Sequence, residues 1–162
     1  MYENLLENGD FTDGLAGWTY KDDADSNNTV LTHCENSSIR IDLARQAKQS
    51  LVQTHRFCTH PAMAVRSLRF SFNCKAEIKH ADSAPKVLLC LEYSDNHSET
   101  KSFDLGGQND WKCENIAFRV ENNASLALKN AAVQILVPVG DGAIWLRAFE
   151  LTYDPLDDPL KN

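Results

Sequence analysis

Apolar and polar residues alternate through Ser67–Ala76 (SLRFSFNCKA), the period expected of a strand with one buried face. Leu68, Phe70, Phe72 and Cys74 fall on the core side, and Arg69, Ser71, Asn73 and Lys75 on the other. Lys112–Val120 repeats the pattern, with Ile116, Phe118 and Val120 inward and Cys113, Asn115 and Arg119 opposite. Lys86–Tyr93 (KVLLCLEY) is a short apolar run that suits a central strand. Further strands are expected at Ile39–Leu43, Ser50–Cys58, Thr100–Leu105, Ala131–Pro138 and Ala143–Tyr153, with turn chemistry at His80–Pro85, Gly106–Asp110 and Val139–Gly142. Only Leu43–Lys48 and Ala124–Lys129 have helical character, and both are too short to be framework elements. Short strands at near-regular spacing predict an all-β chain, folded as a sandwich or a barrel. One module is expected over 1–153. The segment 154–162, with its prolines and acids, reads as a tail or linker.

The length of 162 residues suits one domain with a sizeable core. No apolar run is long enough to span a bilayer, so a membrane is not an expected partner. With 23 acidic against 16 basic residues the formal charge is -7, and no basic cluster offsets it. A nucleic-acid backbone would be repelled, so that partner is not expected either. Met1–Leu6 has neither the basic start nor the apolar stretch of a secretory signal. Sequons at Asn27, Asn36, Asn96 and Asn123 nevertheless point towards an extracellular or cell-surface location. The five cysteines, odd in number and without a CxxC pair, argue against a disulfide framework. Buried free thiols are expected, with one or two bridges left open.

Catalytic signatures are missing. There is no G-x-S-x-G elbow, and Gly106-Gly107 lacks the lysine and following helix of a phosphate loop. His33, His55, His60, His80 and His97 are scattered; Cys58-Thr59-His60 supplies two ligand types where zinc needs three or four converging groups. The carboxylates sit mostly in expected loops. A non-enzyme is the expectation. Aromatic residues beside polar strand faces carry more information, because the C–H face of a pyranose stacks on a ring while its hydroxyls need amides or charged groups. The candidate ligand-binding residues on this ground are Arg69, Asn73, Glu92, Trp111 and Asn115, together with Tyr20 and Gln134. A merely solvated sheet surface is the competing explanation for the polar positions. Trp18 and Trp145 are expected to pack on the core, whereas Trp111 suits either environment.

The most specific stretch is Asn4–Trp18 (NLLENGDFTDGLAGW). It resembles the opening "N-L-x-x-N-G-x-F-E-x-G-x-x-G-W" of carbohydrate-binding modules in the families four, nine and twenty-two group. Ala143–Leu151 (AIWLRAFEL) is similar to that group's closing strand, "aromatic-I-D-D-V-x-L". The Ser50–Gln53 strand, the Leu68–Ala76 strand, and Trp111 ahead of Phe118 add to the likeness. The resemblance implies a galactose-binding-domain-like jelly roll, an antiparallel β-sandwich of two sheets with a polysaccharide or oligosaccharide on its concave sheet. It also implies attachment to a glycoside hydrolase or another larger enzyme or surface protein. Gln134 matches a groove-floor glutamine and Tyr20 lies close to a sugar-stacking aromatic. Relatives often hold structural calcium through the acid after the signature Phe and an Asp of the closing strand. Here Thr12 follows Phe11 and Arg147-Ala148 replaces Asp-Asp, so no calcium or other cofactor is expected. Some relatives bridge a cysteine such as Cys34 to the closing strand, where this chain has Trp145. The expected function is non-catalytic carbohydrate binding; the alternative is a jelly-roll structural or protein-interaction domain without sugar binding.

Overall fold

The computed structural model describes residues 4–22, 32–35, 37–44, 48–57, 67–120 and 128–154, with 21–22, 32–35 and 153–154 as backbone only. Its strands are β1 (Thr19–Asp22), β2 (Thr32–Glu35), β3 (Ser38–Asp42), β4 (Gln49–Arg56), β5 (Ser67–Ala81), β6 (Lys86–Tyr93), β7 (Ser98–Asp104), β8 (Gln108–Arg119), β9 (Leu128–Val137) and β10 (Gly140–Asp154). They form two five-stranded antiparallel sheets, β1-β4-β9-β6-β7 and β2-β3-β10-β5-β8. The first is called here the Gln134 sheet and the second the tryptophan sheet. The chain is thus all-β, as the alternation implies, and of the sandwich and the barrel it forms the two-sheet sandwich that the resemblance implies.

Strand parity explains the core. Leu68, Phe70, Phe72 and Cys74 of β5 are buried, as are Val87, Leu89 and Leu91 of β6 and Val133 and Ile135 of β9. Ile116 and Phe118 of β8 pack on the core from the edge of their sheet. Each fully buried large apolar side chain contributes roughly 1.5–3 kcal/mol relative to exposure. At the centre, the Phe72 and Phe149 rings stack at 5.1 Å, and Trp18 meets Phe149 edge-on at 5.4 Å. Trp18 packs inward as expected, and its indole N–H donates to the Asn8 carbonyl at 3.2 Å.

The opening segment is fastened to β10. Asn4 donates to the Phe149 carbonyl at 2.9 Å and accepts from the Leu151 amide at 3.0 Å. Phe149 N–H donates to the Gly9 carbonyl. A Cβ at Gly9 would lie 2.1 Å from the Phe149 carbonyl oxygen, so no larger residue fits without moving backbone. The buried Gln53 amide closes the other side, accepting from Glu7 N–H at 2.6 Å and donating to Glu7 C=O at 2.9 Å.

Several boundaries differ from expectation. β5 runs on to Ala81 because β10 continues to pair with it, which takes His80 and Ala81 out of the expected turn. Gln108–Asp110, expected as a reversal, begins β8. Leu128 and Lys129 are strand rather than helix, since they extend β9 along β6 and β4. Leu43 and Ala44 are irregular, and 45–47 and 124–127 lie outside the described residues, as does most of the expected tail. β1 and β2 were not visible in the apolar pattern.

Candidate functional site

Two register shifts shape the tryptophan sheet. Between Arg147 and Glu150, β10 spans three residue steps while β5 spans two, from Asn73 to Ser71. Ala148, at φ 56, is the inserted residue of this β-bulge. The insertion resets parity, so that Leu146 and Phe149 both point inward and Arg147 and Glu150 both point outward. A second shift on β8 sets Asp110 and Trp111 opposite Lys75.

The outer face therefore reads as rows across the strands. Arg40, Trp145 and Lys75 form one row, ending at the Trp111 bulge. Arg147, Asn73 and Cys113 form the next, then Glu150, Ser71 and Asn115, then Thr152, Arg69 and Ala117. The last two rows line a depression of about 440 Å³ beside the bulge. It offers a guanidinium, a carboxylate, an amide and two hydroxyls, all on outward strand positions.

Both tryptophans on this face are half-buried. The Arg147 guanidinium lies 3.9 Å from the Trp111 ring centroid. Arg40 and Lys75, from the strands on either side of Trp145, lie 5.6 and 4.9 Å from its ring. Such contacts contribute about 0.5–1 kcal/mol at exposed positions. Lys75 and Arg147 have no carboxylate within ion-pair distance among the described residues; Arg40 meets Asp42 at 2.9 Å. Depression and tryptophan row together run about 20 Å along β5, the six residue steps from Arg69 to Lys75 at ~3.3 Å each.

The structure divides the expected ligand-binding residues. Arg69, Asn73, Trp111 and Asn115 share the outer face of the tryptophan sheet. Gln134 and Glu92 lie on the opposite side of the molecule, on the outer face of the Gln134 sheet. There Gln134 sits in a row with Val52 and Leu88, and Glu92 is engaged by Lys129 at 3.3 Å and Asn130 at 3.4 Å. Tyr20 pairs with the buried Leu51 and so points to the inner side, where its hydroxyl donates to Gln49 at 3.0 Å. The single groove expected to hold all of them is not one surface, because strand parity and the two sheets separate them.

Trp145 is the main correction. It was expected in the core because Ile144 and Leu146 flank it. Those neighbours are buried, and alternation puts the residue between them outside. That parity was the signal available in the sequence. Arg40, Arg147 and Glu150 were likewise missed, since nothing local marks them.

Burial pushes the Cys74 thiol up, which makes it a core residue rather than a nucleophile. Cys90 is half-buried and Cys113 exposed, so the expectation of buried thiols holds for Cys74 alone among these three free cysteines. The side chains of Cys34 and Cys58 lie outside the described residues. The residues at and beside the positions where related modules hold calcium have other partners. Asp10 accepts from both Thr12 N–H and Thr12 hydroxyl, which holds its carboxyl below the usual range. Arg147 occupies the other position and is directed to Trp111. Among the described residues no group of three or more His, Cys, Asp or Glu is placed to hold a metal.

No family model matches the chain, and no curated protein matches it. Solved structures do. The family 61 carbohydrate-binding module named TmCBM61, in complex with β-1,4-galactotriose, is 16% identical with a TM-score of 0.60, covering 94% of this chain and 99% of that one. A family 16 module is 11% identical with a TM-score of 0.66, covering 92% and 99%. The enzymatically active domain of tailspike protein 4 from bacteriophage CBA120 is 13% identical with a TM-score of 0.67; 93% of this chain matches only 21% of that one. At these identities the likeness concerns the fold. The chain has the two-sheet β-sandwich architecture of carbohydrate-binding modules.

Proposed function

We propose that this chain is a non-catalytic carbohydrate-binding module that takes a polysaccharide or oligosaccharide on the outer face of its tryptophan sheet. The observation that carries the reading is the pair of outward tryptophans, Trp111 and Trp145, in continuity with a depression lined by Arg69, Ser71, Asn115 and Glu150. Rings of this kind supply stacking area, and the amide, guanidinium and carboxylate supply directional hydrogen bonds to hydroxyls. The Gln134 face supports the reading less well, because it presents Val52, Leu88 and Leu136 and no outward aromatic among the described residues. The fold's recurrence in modules solved with oligosaccharides lends support. The partial match to the tailspike supports a module carried within, or associated with, a larger enzyme or surface protein. The exposed Asn96 sequon, in the turn between β6 and β7, agrees with an extracellular setting.

A second reading, a structural or interaction domain, draws on one observation: cations already lie on both tryptophan rings. Affinity electrophoresis against soluble β-glucan, xylan, mannan, galactan and pectin separates the two. Retardation that is lost in Trp111→Ala and kept in Gln134→Ala supports the module and its face. A folded protein retarded by none of these polymers favours the interaction domain.

A further inference from the structure

We infer that the glycan taken by the tryptophan face is a polyanion bearing uronate carboxylates, an inference that rests on the sugar-binding reading and names its ligand class. A tryptophan ring attracts a cation through its quadrupole but carries no net charge. Lys75 and Arg147, held by Trp145 and Trp111, therefore keep their full positive charge on the outer face. On the other face, by contrast, Lys86 meets Asp104 at 3.9 Å and Lys129 meets Glu92 at 3.3 Å. In a protein of net charge -7, two cations without a carboxylate partner, seated together on one sheet face, form a local positive site. Such a site attracts anionic groups.

Of the acids nearby, Asp42 is taken by Arg40, and an Asp110 carboxylate oxygen, still charged, accepts from the Trp111 amide at 2.8 Å. Glu77 shares the end row with Asp42, and Glu150 lies across the bulge in the depression. The Arg147 guanidinium carbon lies 3.9 Å from the Trp111 centroid, and among the described residues no carboxylate takes its N–H groups. A carboxylate matches that fork with two parallel hydrogen bonds, whereas a neutral hydroxyl satisfies one. A neutral sugar would have to displace the cations from the rings in order to stack. A uronate pairs with the cations where they lie and sets its C–H surface against the exposed ring edges. The row from Arg40 to Trp111 crosses β3, β10, β5 and β8, about 14 Å at ~4.8 Å per strand, which is room for an oligomer rather than one sugar.

Polygalacturonate and its fully methyl-esterified form test this, because they share a backbone and differ in charge. Isothermal titration of the full chain is expected to give at least about tenfold tighter binding to the free acid, weakening as salt is raised from low to physiological strength. The Lys75→Gln/Arg147→Gln double variant, with an unchanged unfolding midpoint, is expected to lose that preference. Alginate and glucuronoxylan extend the test to other uronate backbones. Equal affinity for acid and ester, or a double variant that binds as the parent does, overturns the inference and leaves the sugar-binding reading standing. Competition by dextran sulfate as effective as that by oligogalacturonate also overturns it, by showing charge attraction without carboxylate recognition. Failure to bind any uronate overturns it as well; if the neutral polymers above also fail, the sugar-binding reading falls with it.

Discussion

On the outer face of the Gln134 sheet, Lys86 and Lys129 each meet a carboxylate, and the row through Gln134 is flanked by Val52 and Leu88. On the outer face of the tryptophan sheet, Lys75 and Arg147 meet indole rings instead, and the neighbouring rows hold Asn73, Asn115, Ser71 and Arg69. Both faces are half-solvated antiparallel surfaces built on the same core. The difference teaches that a polar sheet face is not a site by virtue of polarity. Ion pairs satisfy a surface internally, whereas cations propped on aromatic rings leave both charge and ring edge addressed outward.

The largest expected effect removes the support common to both faces. Phe149→Ala deletes the ring stacked on Phe72 and vacates the bulge that turns Glu150 outward. A loss of about 3–5 kcal/mol is expected in urea unfolding, as for other buried Phe truncations. Next in size is a split between the faces. Trp111→Ala or Trp145→Ala should weaken binding of the best-bound polysaccharide by about thirtyfold, the scale of a central interface residue at ~2 kcal/mol. Gln134→Ala should change it by less than about twofold. The reverse order, measured by titration calorimetry, would move the site to the Gln134 face.

Glu92→Gln sharpens the comparison in the other direction. It frees Lys129, and because the pair is half-exposed the stability change should stay within about 0.2–1 kcal/mol in thermal unfolding. The smallest effect is in the turn between β6 and β7. The His97 amide and then its ring hold the Asp95 carboxyl below the usual range. A carboxylate with a depressed folded pKa stabilises at neutral pH, and that contribution is lost as pH falls through its folded value. His97→Ala keeps the amide donor, so the Asp95 midpoint followed by NMR should rise only part of the way to normal.

How much was legible depended on whether a feature was local. The core faces of β5 and β8 followed from alternation, since a one-residue slip would have exposed Phe70 and Phe72. Arg69, Asn73 and Asn115 were reached by the same alternation, whereas Trp111, which suited either environment, is set on that face at the register shift of β8. Gln134 and Tyr20 were reached both as polar and aromatic strand residues and by likeness to other modules, and the structure sets them apart from that group. Gln134 belongs to the other sheet, and Tyr20 turns inward beside Gln49. Trp145 was within reach of parity and was obscured by its apolar neighbours.

By itself, then, the sequence determined that this chain is all-β, and which residues of β5 and β8 face the core; the two-sheet sandwich came with the resemblance of its opening motif. Hydrophobic alternation acts over a few residues and needs no knowledge of partners. The tertiary structure decided which strands share a sheet and how one inserted residue at Ala148 turns β10. It also decided that Arg40, Lys75 and Arg147, distant along the chain, gather around two tryptophans. Those relations depend on strand order and register, which are fixed only when distant segments pair and bury their faces together.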